Sequence, residues 1–205
     1  MVKCYLKEIK SDKIIVKEET IMRKDLGSKP YLYPQLVMII GTYDKDGIPN
    51  AMNAAWGGMA DFNKVMVCLS NHKTTENIEI TKEFTISIGD KDHVIECDYV
   101  GIVSQNKDSK KMEKSGFTTT KAKYINAPII NELPLCLECR LIKIVEEDLY
   151  IAEIINVNAE ESILDEKGNI SLEKFIPIAY DPSTHGYYKV SGRVGNAFKD
   201  GNKLK

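Results

Sequence analysis

Residues 48–56 read I-P-N-A-M-N-A-A-W, and one apolar run later residues 71–78 read N-H-K-T-T-E-N-I. The first stretch carries small side chains and two asparagines, and it ends in the chain's single tryptophan. Small residues let a flat ligand lie close to backbone. Hydroxyls and a lysine ahead of a helix suit a phosphate. Working outward, residues 36–42 form an apolar, β-branched strand, D-K-D-G at 44–47 is a tight turn, and 48–55 return as a second strand. Gly57 and Gly58 end that strand, 61–64 turn the chain, and 65–70 make a third. A short helix follows the loop at 71–73, with Thr74 as its cap.

Beyond it the pattern predicts a strand at 84–88, a helix at 93–100 and a helix at 109–115 closed by Gly116. Residues 135–146 and 149–158 flank a turn as a long hairpin, D-E-K-G-N at 165–169 is another turn, and 175–180 and 186–190 close the ordered part. Pro30 and Pro34 keep the segment before the first core strand extended. Short strands at regular spacing with few short helices give a mainly β fold, a closed or partly closed barrel with short peripheral helices. Residues 1–21 read as an added strand or hairpin and 22–205 as one domain, with no repeat or linker dividing it.

The chain has 205 residues, 43% of them apolar and 28% charged, with a net charge of −2, which is the balance of a soluble globular protein. Lysines are spread along the chain, so no basic stripe marks a nucleic-acid partner. No apolar run approaches the ~20 residues of a membrane span. Charges through the first ten residues do not fit a signal peptide. The expected setting is cytoplasmic, without nucleic acid or membrane.

Cysteines stand at 4, 68, 97, 136 and 139. Cys136 and Cys139 form a C-x-x-C, but on an alternating strand, where residues three apart face opposite ways, and no second pair completes a zinc site. The histidines at 72, 93 and 185 are scattered, so no metal is expected. No hydrolase elbow, metalloprotease helix, Walker loop or G-x-G-x-x-G is present. No side chain is expected to act as nucleophile or acid–base catalyst, and any enzymatic chemistry would come from a cofactor. Ser70, His72, Lys73, Thr74 and Thr75 could together hold the phosphate of flavin mononucleotide (FMN). Asn50, Asn53, the backbone of Ala54 and Ala55, and Trp56 could meet its ring. The same residues also read as a surface loop and a buried strand with one core tryptophan.

Six segments in order resemble the flavin reductase-like family, whose members, flavoredoxins among them, bind FMN in a split barrel. They are P-Q-L-V-M-I-I-G-T at 34–42, the stretch at 48–56, C-L-S-N-H-K-T-T-E-N-I at 68–78, C-D-Y-V-G-I-V-S at 97–104, A-P-I-I-N-E-L-P at 127–134 and L-E-C-R at 137–140. The resemblance implies an FMN-binding split β-barrel and FMN held at the interface of a homodimer. It implies that Asn50, Met52, Asn53, Ala54, Ala55 and Trp56 lie along the ring. Ser70, Asn71, His72, Lys73, Thr74 and Thr75 would lie around the phosphate, with Asn77 and Ser104 close by. Lys111 aligns with the family's flavin-near lysine, where a cation would stabilise the reduced, anionic flavin at N1 or a phosphate. Tyr187 matches its late aromatic. Two positions depart from the pattern: Lys110 replaces an Asp, and Gln105 stands where Gly commonly follows the serine. By itself, K-K-M-E-K at 110–114 reads as a solvated helix face.

Two functions follow from the resemblance. One is an FMN-dependent oxidoreductase of the NAD(P)H:flavin or acceptor reductase type, passing electrons from NADH or NADPH to free flavin or a redox partner protein. The other is an electron carrier with bound FMN and no nicotinamide site.

Overall fold

The computed structural model describes residues 2–10 and 13–205, of which 2–10 and 13–21 are described by their backbone alone. The chain divides into two compact units, residues 1–31 and 32–205. In the first, strand β1 (Val2–Lys10) pairs antiparallel with β2 (Lys13–Ile21), Val2 opposite Ile21 and Lys10 opposite Lys13.

The second unit is built on a seven-stranded antiparallel sheet. Its strands are β4 (Met38–Tyr43), β5 (Pro49–Ala54), β6 (Gly57–Asp61), β7 (Lys64–Cys68), β8 (Glu83–Ile88), β11 (Leu135–Val145) and β12 (Leu149–Ala159). Across the sheet they run β5-β4-β8-β11-β12-β7-β6. The outermost strands, β5 and β6, are consecutive in the chain, joined only by Ala55 and Trp56. Two residues reach no more than about 10 Å between strand ends. The sheet must therefore roll round until its two edges meet at that corner, which makes a barrel split between β5 and β6.

Strand β4 explains how both sides of the sheet are filled. Successive side chains alternate faces, so Met38 and Ile40 join the barrel core with Met52, Val65, Val67, Phe84, Ile86 and Tyr150. Val37 and Ile39 point the other way, into a second core with Cys97 and Val100 of helix α2 (Val94–Ile102), Phe117 and Ile130. Fully burying one such side chain contributes ~1.5–3 kcal/mol. Helix α1 (Lys73–Thr81) follows β7, and α3 (Lys111–Ser115) ends at Gly116, whose φ of 78° is the left-handed conformation of a helix stop. The remaining strands are β3 (Gln35–Leu36), β9 (Thr119–Lys121), β10 (Pro128–Ile130), β13 (Ile178–Asp181) and β14 (Gly186–Lys189). They form a three-stranded sheet, β14-β13-β3, and a two-stranded ladder, β10-β9. Among the described residues no helix is long and apolar enough to cross a membrane.

The mainly β expectation holds, with small differences that have physical reasons. Gly57 and Gly58 do not merely end a strand. They begin β6, opposite Val67 and Met66. A Cβ on Gly57 would stand 2.6 Å from the Met66 carbonyl oxygen and 2.8 Å from Met38 Cε, so this edge needs glycine for close approach rather than for a turn. The α1 cap is His72 rather than Thr74. His72 N–H donates to Thr75 Oγ1 at 2.9 Å, while Thr74 is buried and engaged elsewhere. Cys136 and Cys139 are both buried free thiols on β11; Cys139 joins the barrel core and Cys136 does not, in keeping with residues three apart on a strand facing opposite ways. Burial pushes the Cys136 thiol up to about 11 and raises that of Cys139 as well.

Candidate functional site

Where β5, the start of α1, the end of α2 and the start of α3 converge, two adjoining cavities open. They share Met52, His72 and Gly101 as lining. One, of about 110 Å³, is walled by Asn50, Lys73, Thr74, Lys111 and the stretch 100–105. The other, of about 230 Å³, is walled by 53–56 and 68–70. Gly101 is what lets α2 close on β5, since a Cβ there would stand 2.9 Å from Asn53 Cβ. Asn53 holds the same contact from its side, donating from Nδ2 to the Cys97 carbonyl at 3.0 Å.

The narrower cavity is polar at its base. Asn50 is 1% exposed, and its Nδ2 donates to Thr74 Oγ1 at 2.8 Å. The Thr74 hydroxyl accepts that bond, so its own proton is free for another acceptor. Behind it Asn77 Nδ2 donates to Thr42 Oγ1 at 3.0 Å, fixing α1 against β4. The first N–H groups of α1 have no partners inside the helix and carry its partial positive charge. Lys73 lies beside them, its Nζ 3.8 Å from the Glu76 carboxylate.

Opposite stands Lys111, only 3% exposed at the first position of α3. Among the described residues its ammonium meets no carboxylate within ion-pair distance and no hydrogen-bond acceptor. Burial alone lowers its pKa from 10.5 to about 8. A buried cation without a counter-charge is costly unless a ligand supplies one. The Asn50 and Gln105 side-chain oxygens are likewise buried in this lining without partners.

The structure brings most of the expected residues together. Asn50, Met52, Asn53, Ala54, Ala55, Trp56, Ser70, His72, Lys73, Thr74, Ser104 and Lys111 all line one cavity or the other. Asn71, Thr75, Asn77 and Tyr187 are outside the lining. Thr75 Oγ1 is occupied at the helix start, and Tyr187 donates its hydroxyl to Asp98 Oδ1 at 2.8 Å, with burial and that carboxylate raising its pKa. Sequence reasoning missed Gly101, Val103 and Gln105 as wall. A glycine inside an apolar helix was the available signal for the first and the departure from the family pattern for Gln105; Val103 had none.

A flavin reductase-like domain matches residues 31–186, most of the chain and every residue of both cavities. The chain belongs to this family. Its structure is similar to the flavoredoxin of Desulfovibrio vulgaris (Miyazaki F), with 33% identity, a TM-score of 0.84, and 88% of this chain and 100% of that one covered. It is similar also to a flavoredoxin from Methanosarcina acetivorans, at 27% identity and a TM-score of 0.81 over 90% of this chain and all of that one. The FMN-binding domain of a flavin reductases-like enzyme from Shewanella baltica OS155 shares the fold, at 23% identity and a TM-score of 0.72 over 79% and 89% of the two chains. FMN is the cofactor that membership of the flavin reductase-like family and these neighbours support. The lining fits it chemically. A phosphate would answer the helix start and the unpaired lysine, and ribityl and ring donors would answer the two orphaned amide oxygens.

Proposed function

We propose that this family member is an FMN-dependent oxidoreductase, taking electrons from NADH, NADPH or a redox partner protein and passing them to free flavin or another acceptor. The observation that carries the reading is the buried, uncompensated Lys111 facing the start of α1 across one cleft. FMN supplies hydride acceptance and electron transfer when bound. The chain's own residues bind and tune. His72, Lys73 and Thr74 hold the phosphate with the α1 N–H groups, and the backbone of 53–56 together with Ser70 lies along the wider cavity. Lys111 adds positive charge where negative charge accumulates on reduction, an electrostatic contribution that needs no proton transfer.

The purified protein binds one FMN per chain, read as flavin absorbance that survives desalting; a protein that stays colourless after FMN addition overturns the reading. Under anaerobic conditions NADH or NADPH bleaches that absorbance. Bleaching by dithionite alone would mark an electron carrier without a nicotinamide site instead.

The wider cavity is open, with Trp56 53% exposed on its rim and Met59 and Phe62 exposed on the adjoining β6 segment. A second copy covering this edge strand completes the site as a homodimer. Light scattering coupled to size exclusion should give twice the 23.1 kDa chain mass, and a monomer at micromolar concentration would contradict it.

A further inference from the structure

The loop that follows α2 carries a side chain whose orientation is set by chemistry. Gln105 Nε2 donates to the Pro49 carbonyl oxygen at 3.2 Å, tying the loop to the first residue of β5. A carbonyl only accepts, so the amide nitrogen must face Pro49 and the amide oxygen must face the other way. That oxygen, Oε1, is fully buried, has no hydrogen-bond partner, and belongs to a residue lining the same cavity as Asn50 and Lys111. Asn50 repeats the arrangement. Its NH₂ group donates to Thr74 Oγ1, and its Oδ1 is buried and unpaired, on a residue of the same wall.

Two amides in one cavity wall, each with an N–H bonded to the protein and a buried oxygen without a partner, describe a need for donors. Leaving such an oxygen unmatched costs on the order of 1–3 kcal/mol. Phosphate does not fill it, since its oxygens are acceptors and would be repelled by the amide lone pairs. This part of the cleft is therefore matched to neutral O–H or N–H groups, with the anionic part of the ligand held nearer α1.

We infer that Gln105 is a specificity-determining residue of the flavin site: its Oε1, with Asn50 Oδ1, accepts a hydrogen bond from an O–H or N–H donor of the bound ligand. The inference rests on the FMN reading above. A flavin offers such donors as the ribityl hydroxyls and the ring N3–H. The two amides thus select a ligand by its donors while Lys111 and α1 select it by its charge. A ligand of equal charge and shape that lacks the donor binds more weakly by about tenfold.

The test uses the full chain, freed of flavin, with binding followed by quenching of flavin fluorescence. Three probes are compared: FMN, N3-methyl-FMN, and a flavin whose ribityl chain is replaced by a hydroxyl-free pentyl 5′-phosphate. Gln105→Met removes both amide functions at similar size; Gln105→Glu keeps an oxygen acceptor. Expected for Gln105→Met is a loss of about tenfold for FMN and little further loss for the probe that already lacks the donor, which also identifies whether N3–H or a hydroxyl is read. Gln105→Glu retains the wild-type discrimination between the probes. Equal weakening of all three probes by Gln105→Met, or no change for any, overturns the inference and reduces Gln105 to a pin for the loop. Failure of the wild-type protein to bind any probe overturns the cofactor reading and this inference with it.

Discussion

Lys111→Met stabilises the flavin-free protein at neutral pH by about 1–3 kcal/mol and weakens FMN binding by about ten- to a hundredfold. The two effects have one cause. In the fold Lys111 is 3% exposed and its ammonium has no partner among the described residues, so burial holds its pKa near 8 against 10.5. One pKa unit corresponds to ~1.4 kcal/mol, and relaxation and entering water bring the expected gain below the full difference. The sign of the pH dependence follows. Because the folded-state value lies below the unfolded one, the destabilisation is complete below pH 8 and is relieved as pH rises from 8 towards 10.5. Urea unfolding of the flavin-free wild type should therefore show stability climbing through that window, and Lys111→Met should remove the slope. Bound FMN should do the same by supplying a counter-charge. A Met variant that is less stable than wild type at pH 7 and binds FMN normally would show that Lys111 is an ordinary surface cation.

How far the sequence could be read depended on whether the signal was local. An apolar, β-branched run marked β4, turns at 44–47 and 61–64 set off β5 and β7, and alternation marked β11, because each of these signals lies within the strand or at its ends. The helix at 94–102 was equally visible from the spacing of Val94, Cys97 and Val100. Barrel closure was different. It depends on β5 and β6 lying at opposite edges of one sheet while adjacent in the chain, and no window containing Gly57 and Gly58 reveals their partners. The α1 cap was placed two residues late for a related reason. Thr74 has the right side chain for a cap, but its hydroxyl is taken by Asn50, 24 residues away. In the site, Lys111 lies in a charge run that reads as a solvated face, and only the fold turns its ammonium into the cleft. Gln105 stood out only as a departure from the family pattern, since its part in the wall depends on which half of its amide meets Pro49.

Thr74→Val separates what the buried polar pair does for the fold from what it does for the ligand. Both partners are 1% exposed, and among the described residues the Asn50 amide nitrogen meets its one acceptor in Thr74 Oγ1. Valine has nearly the shape of threonine but offers no oxygen, so a buried NH₂ is stranded at a cost of about 1–3 kcal/mol. The same change removes, from a residue of the cavity wall, a hydroxyl whose proton is not used by Asn50. FMN affinity should fall about tenfold while riboflavin, which lacks the phosphate, loses little. Adding Asn50→Leu then distinguishes the roles. Replacing both members of a buried pair by apolar groups of similar shape is nearly neutral, so the double variant should recover most of the stability lost by Thr74→Val. It should recover none of the FMN affinity, because both polar groups are now missing from the wall that faces the ligand. Urea midpoints for the three variants, set beside dissociation constants for FMN and riboflavin, give the full cycle. Affinity that returns together with stability in the double variant would mean that Asn50 and Thr74 only hold β5 and α1 together. Stability that returns alone would place both side chains against the bound flavin.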